Sequence, residues 1–116
     1  MATIDSRLLT ETEDELYLEI GNQLALEETG FLPSNVKAIE ERGRRYVAIH
    51  LAKLKSTVCA NKMVQTAAKN GTYAELVAAV AAAIESFLSG TCVAPVAALL
   101  CKMGIHKFCE REWSQA

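Results

Sequence analysis

Apolar positions recur at helical spacing along most of the chain, in segments separated by turn residues. In the first segment they lie four residues apart, at Leu16, Ile20 and Leu24. Thr10 and Glu13 have the spacing of a capping box, and Gly30 supplies a stop. The pattern therefore predicts a first helix over about 11–29.

The longest apolar stripe follows Ser34 and Asn35, either of which can cap a helix. Its members keep a spacing of three or four residues: Val36, Ile39, Gly43, Val47, His50, Leu51, Leu54 and Val58. This stripe predicts a second helix over about 35–60. A break is predicted at Asn61, followed by a short helix over 62–69 before the next turn.

The last third of the chain predicts a helical hairpin. Thr72 and Glu75 form a second capping box, Gly90 closes the helix that follows it, and Pro95 has the position of a first-turn proline. The two predicted helices of this hairpin cover about 73–89 and 94–111.

Length and composition favour a single all-α domain. The chain has 116 residues, of which 18 are alanine, while aromatic residues make up only 6%. A chain rich in the best helix former and poor in β-branched and aromatic residues favours helix over sheet. We expect one domain over 1–116, folded as a compact bundle or orthogonal array of four main helices. The lead-in 1–9 and the tail 112–116 are predicted to be loosely ordered.

Charge is unevenly distributed along the chain although the net charge is only −2. Residues 1–30 carry eight acidic side chains against one arginine, and residues 31–70 carry eight basic side chains against two acidic ones. This asymmetry has two interpretations. The basic segment could form a surface that binds an anionic ligand. Alternatively, the acidic and basic segments could form two adjacent helices whose opposite charges face each other or solvent. We favour the second interpretation, and nucleic acid is not an expected partner.

The four cysteines lie in stretches that read as buried helix, where a free cysteine behaves as a small apolar residue. The first residues contain no apolar run of the kind found in a secretory signal. Together these features predict a reducing compartment and a cytoplasmic location.

The most unusual segment is the apolar hairpin over 76–105. Sixteen residues without charge separate Glu85 from Lys102, and nine separate Glu75 from Glu85. Both runs are shorter than the roughly 20 residues of a membrane-spanning helix. The hairpin is predicted to form the bundle core, and small residues spaced four apart, at Ala74, Ala78 and Ala82, suggest a face for pairing with another helix.

Arg45 and His50 are the weak catalytic candidates. Their Arg-x4-His spacing resembles that of HEPN-type ribonucleases, which are small helical bundles, although Tyr46 stands where a polar residue commonly follows the arginine. The resemblance implies that Arg45 and His50 act on an RNA 2′-hydroxyl and its phosphate. A helix turns by about 140° over five residues, so the two side chains share a pocket only if a bend or a partner chain brings them together.

Cys101, His106 and Cys109 are weak metal-ligand candidates, with Cys92 upstream. Zinc sites usually pair cysteines two to four residues apart on a turn, and this sequence has no Cys-x-x-Cys. Core cysteines and a hydrogen-bonded histidine are the favoured interpretation, so no metal or cofactor is predicted.

The sequence therefore favours a small, non-enzymatic protein that acts by protein–protein association, as an adaptor, inhibitor or subunit. The partner is expected to be a second copy or another helical protein. Exposed anchors are predicted at Phe31, Leu32 and Trp113, in addition to the three alanines of the hairpin. Two alternatives remain: a membrane-acting effector that inserts the 76–105 hairpin, and a HEPN-like ribonuclease.

Overall fold

The computed structural model describes residues 6–30, 35–88 and 90–114, and over these ranges the protein is all-α. In the described ranges, a 3-10 helix over Ser6–Leu9 precedes seven α-helices. Their bounds are α1 Glu13–Thr29, α2 Val36–Ala60, α3 Lys62–Asn70, α4 Tyr73–Ile84, α5 Gly90–Met103, α6 Ile105–Phe108 and α7 Glu110–Ser114. The predicted all-α fold is confirmed.

The first three helices begin and end close to the predicted positions. The side chain of Asn35 caps α2 by accepting from Ala38 N–H at 3.1 Å, and that of Asn61 caps α3 by accepting from Val64 N–H at 3.1 Å. The capping box of α1 lies two residues later than predicted. Thr12 and Glu15 form it, not Thr10 and Glu13. The acidic and threonine residues alternate at this point, so the sequence offers two boxes of equal spacing.

The hairpin differs more from the prediction. The capping box at Thr72 and Glu75 is present, but α4 ends at Ile84, earlier than the predicted 89. The predicted final helix over 94–111 instead begins at Gly90 and is divided into three pieces. Gly104, with a φ of 103°, adopts a conformation that L-residues rarely take, and it ends α5. Pro95 lies inside α5, not in its first turn.

Part of each chain end is helical, although both ends are predicted to be loosely ordered. Leu8, in the 3-10 helix, belongs to the hydrophobic core. At the other end α7 has no buried residue, and its Trp113 packs against the core from a half-buried position. Residues 1–5 and 115–116 lie outside the described residues.

The core is built around α5, which is buried along most of its length. The fully buried side chains of the hairpin are Val77, Val80, Ile84, Cys92, Val93, Val96, Ala97, Ala98, Leu99 and Leu100. Leu16, Ile20 and Leu54 contribute from α1 and α2. The apolar hairpin therefore supplies most of the core, and none of the described helices is both long and apolar enough to cross a membrane.

Opposite charges of α1 and α2 face each other. Arg42 of α2 pairs with Glu28 of α1, and Arg44 pairs with Asp14. The guanidinium of Arg44 also lies 4.2 Å from the centre of the Tyr17 ring. The segregated charges of the sequence thus serve helix pairing, although each exposed ion pair contributes at most about 1 kcal/mol.

Candidate functional site

One side of α4 faces the core, and the opposite side is an exposed face of alanine. Ala74, Ala78 and Ala82 are all exposed, at the spacing that places them in one row along the helix. From residue 76 to residue 84 neither a charged nor a polar side chain interrupts this side. We call the row formed by Ala74, Ala78 and Ala82 the α4 alanine face. The sequence predicts that the hairpin forms the bundle core and also carries a face for pairing with another helix. In the structure, one side of α4 packs in the core and the other side is open to solvent.

A second exposed apolar feature lies between α1 and α2. An open groove with a volume of about 620 Å³ is lined by Leu24, Glu28, Ala38, Glu41, Arg42, Arg45, Tyr46 and Ile49. Ile49 is 72% exposed in the middle of α2. Two acidic and two basic side chains line this groove, so its charge does not favour either a cationic or an anionic partner.

The two catalytic candidates lie in different surroundings. Arg45 lines the groove between α1 and α2, and it is exposed. The ring of His50 is half-buried and packs against the Tyr46 ring, with centroids 4.6 Å apart. Tyr46, one helical turn before His50, thus packs against the His50 ring, and the groove that Arg45 lines does not include His50 among its lining residues.

The three predicted metal-ligand candidates, Cys101, His106 and Cys109, differ in their bonding and do not form one site. Cys109 forms a disulfide with Cys59, 50 residues away in sequence. Cys101 is a free thiol whose pKa is raised to about 12 by burial. Within the described part of the chain, no group of three or more His, Cys, Asp or Glu side chains is arranged to hold a metal ion. The premise of four free thiols is therefore wrong for Cys59 and Cys109.

The disulfide borders a cleft between α2, α3 and the C-terminal helices. The cleft has a volume of about 470 Å³ and is lined by Ser56, Cys59, Ala60, Gln65, Lys69, His106, Glu112 and Trp113. We call it the disulfide cleft. Its volume is within the range of small-molecule sites, about 300–1,000 Å³.

Hydrogen bonds to helix ends shape this cleft. The last carbonyls of a helix lack partners within it, and two side chains satisfy the Cys59 carbonyl near the end of α2. Gln65 donates to this oxygen at 2.9 Å, and the indole N–H of Trp113 donates at 2.8 Å. Near the end of α3, His106 Nε2 lies 3.3 Å from the Ala68 carbonyl and donates to it as the Nε2–H tautomer. The indole also meets the His106 ring edge-on, at 5.3 Å between centroids.

Two opposite charges in the disulfide cleft have no ion-pair partner in the described structure. Lys69 projects from α3 and Glu112 from α7, and both are exposed. Neither takes part in an ion pair with a described residue. The cleft therefore presents one cation and one anion beside an apolar wall formed by Cys59, Ala60 and Trp113.

Of the three predicted anchors, only Trp113 can be placed. It is half-buried and covers the end of α2, as a bundle-end residue would. Phe31 and Leu32 lie outside the described residues.

The disulfide and its cleft were missed by sequence reasoning. Cys59 and Cys109 each sit in an apolar helical stripe, so their pattern resembles that of core residues. The one available signal was the position of both cysteines near helix ends, where Asn61 and the Gly104 region break the chain.

No protein-family model matches the chain, and neither a curated protein nor a solved structure is found to match it.

Proposed function

We propose that this protein acts by protein–protein association and that its first partner is a second copy of the chain, paired through the α4 alanine face. The observation that carries the proposal is the exposure of Ala74, Ala78 and Ala82 on a helix whose other side is core. Solvent-facing helix positions usually carry long charged or polar side chains. A side made of alanine leaves a surface suited to contact with protein.

Small side chains favour a close contact between two helices. Helix axes pack 8–10 Å apart depending on the side chains at the contact, and alanine allows the shorter distance. A row of three alanines matches an identical row when two copies are related by a twofold axis.

The contact is expected to be weak. α4 has 12 residues and so is about 18 Å long, at 1.5 Å per residue. Stable dimers bury about 1,200–2,000 Å², which two short alanine faces do not supply by themselves. We therefore expect a dimer that forms at high protein concentration and dissociates on dilution.

The acidic residues at the two ends of the α4 alanine face predict how dimerisation depends on salt concentration. In an antiparallel pair, Glu75 of one copy approaches Glu85 of the other, and the two carboxylates repel. Salt screens this repulsion because the Debye length falls from about 10 Å at 0.1 M to about 3 Å at 1 M. Dimerisation is therefore expected to strengthen as the salt concentration rises, whereas an ion-paired interface would weaken.

Light scattering over a range of protein concentrations tests the proposal. The wild-type chain should pass from monomer to dimer, and Ala78→Glu should remain a monomer because two charged side chains would meet at the contact. Ala48→Glu is the matched control, since Ala48 is an exposed alanine within α2 and outside the α4 alanine face. A wild-type monomer at every concentration, or equal loss of dimer in both variants, would overturn the proposal.

The compartment is a separate proposal. A cytoplasmic location is predicted from the sequence, whereas a Cys59–Cys109 disulfide is typical of oxidising surroundings. We retain the cytoplasmic location, and the Cys59–Cys109 bond is then one of the few disulfides that form in that compartment. Alkylation under denaturing conditions immediately after cell lysis tests it: modification of Cys92 and Cys101 alone, in protein recovered from the cytoplasm, is the expected result. Recovery from an extracytoplasmic fraction would contradict it.

A further inference from the structure

The disulfide cleft combines a disulfide with one cysteine in its wall, a volume suited to a small molecule and two opposite charges that have no ion-pair partner among the described residues. From this combination we propose that the cleft is a binding and thiol–disulfide exchange site for a small thiol of the amino-acid type, which forms a mixed disulfide with Cys59. This proposal is independent of the α4 alanine face.

The charges select the chemical class of the ligand. An amino-acid thiol carries one ammonium group and one carboxylate. The ammonium complements the carboxylate of Glu112 on α7, and the carboxylate complements the ammonium of Lys69 on α3. A thiol with only one of these charges satisfies one side chain and leaves the other without a partner. The C-terminal ends of α2 and α3 also border the cleft, and their partial negative charge disfavours a ligand that is purely anionic.

The position of the disulfide selects the sulfur that reacts. Cys59 lines the cleft and is 2% exposed, whereas Cys109 is fully buried and does not line it. Trp113 lines the same cleft and is held beside Cys59 by its hydrogen bond to the Cys59 carbonyl. Trp113 packs against the core from a half-buried position, but α7 has no fully buried residue, so the displacement of Trp113 leaves the fully buried core residues in place.

The exchange balances without any further reactant. The thiol of the ligand ionises, and its thiolate attacks Cys59 Sγ, forming a new S–S bond. The Cys59–Cys109 bond breaks, and its electron pair leaves on Cys109 Sγ. That sulfur takes up one proton, equal to the one released by the ligand. The products are a mixed disulfide at Cys59 and a thiol at Cys109.

A series of thiols that differ in charge tests this proposal on the native full-length chain. The probes are L-cysteine, cysteamine, 3-mercaptopropionate and 2-mercaptoethanol, compared at equal thiolate concentration. We expect L-cysteine to react about fivefold faster than the other three, as two weak ion pairs would allow. Intact mass gives the rate, and peptide mapping should place the adduct on Cys59.

Variants separate recognition from general reactivity. Lys69→Gln and Glu112→Gln should each reduce the preference for L-cysteine without slowing 2-mercaptoethanol. Lys62→Gln should change neither rate, because Lys62 is exposed on α3 but does not line the cleft. S-methyl-L-cysteine, which carries both charges and no thiol, should slow the reaction of L-cysteine by competition.

Three results would overturn the proposal: equal rates for the four thiols, an adduct on Cys109, or exchange only after the helical circular dichroism signal is lost. The emission of Trp113, the only tryptophan of the chain, gives a second readout. It should rise with adduct formation as the indole leaves the neighbourhood of the disulfide.

Discussion

Gly43 lies directly against the backbone of Tyr17 where α2 crosses α1. A Cβ added at Gly43 would lie 2.0 Å from the Tyr17 carbonyl oxygen and 3.2 Å from the backbone nitrogen of Gly21. Gly21 is equally confined, since its Cβ would lie 1.9 Å from the Ile39 carbonyl oxygen. Two glycines thus allow the acidic helix and the basic helix to approach at backbone distance.

Gly43→Ala should destabilise the protein. At an open helical position this change gains roughly 1 kcal/mol from helix propensity, but at Gly43 the neighbouring backbone must move. We expect a net loss of about 1–3 kcal/mol, typical of overpacking, measured by urea unfolding. Gly90→Ala is the matched control, because a Cβ there meets nothing within 4 Å. Equal stability of the two variants would contradict the close crossing.

Reduction of the disulfide should lower stability without abolishing the fold. Cys59 and Cys109 are separated by 50 residues, and a loop of this size corresponds to about 4 kcal/mol of chain entropy in the unfolded state. Urea unfolding with and without reductant should show a midpoint lower by the corresponding amount. The double variant Cys59→Ala/Cys109→Ala should show no further effect of reductant. An unchanged midpoint in the wild-type chain would show that the bond is absent in solution.

Val80 and Ala82 lie two residues apart on opposite sides of α4, so the same substitution should have opposite consequences. Val80→Asp places an unpaired charge in the core, at a cost of several kcal/mol that approaches the total stability of a small domain. Ala82→Asp places the charge in solvent and should leave the helical content intact. Circular dichroism measures both. A folded Val80→Asp variant would show that this side of the hairpin is not core.

The capping boxes predict acid sensitivity. Hydrogen bonds from Thr72 lower the pKa of Glu75 below its ordinary value of 4.5, and those from Thr12 act in the same way on Glu15. A carboxylate with a lowered pKa in the folded state contributes stability above pH 4.5, and this contribution is lost as the pH falls through the lowered value. Glu75→Gln keeps the acceptor but does not titrate. Its stability should therefore fall less than that of the wild type on acidification below pH 4.5, and an identical decline would exclude Glu75 as a contributor.

Much of the fold follows from local signals in the sequence. The starts of α2, α3 and α4 follow from Asn35, Asn61 and Thr72, whose side chains cap backbone N–H groups a few residues later. The break at Gly104 does not, because apolar residues continue on both sides of it, at Leu100 and Met103 before it and at Ile105 and Phe108 after it. A positive φ becomes necessary only when α6 turns back onto the core.

The candidate sites, too, could be predicted from the sequence only in part. The alanine row at 74, 78 and 82 follows from periodicity, but which side of α4 meets solvent depends on how the hairpin packs. The disulfide depends on a contact between residues 50 positions apart, and local patterns do not specify contacts at that separation. For the same reason the position of Lys69 and Glu112 in the wall of one cleft emerges only from the packed helices.

Cross-linking through Ala78→Cys tests the central claim, pairing of two copies by the α4 alanine face, most directly. Cys92 and Cys101 are buried and the other two cysteines are bonded to each other, so the introduced thiol is the exposed one among the described residues. A short thiol-reactive linker should give covalent dimers of Ala78→Cys in high yield and few dimers of Ala48→Cys. Equal yields from the two variants, or no dimer from either, would contradict the account.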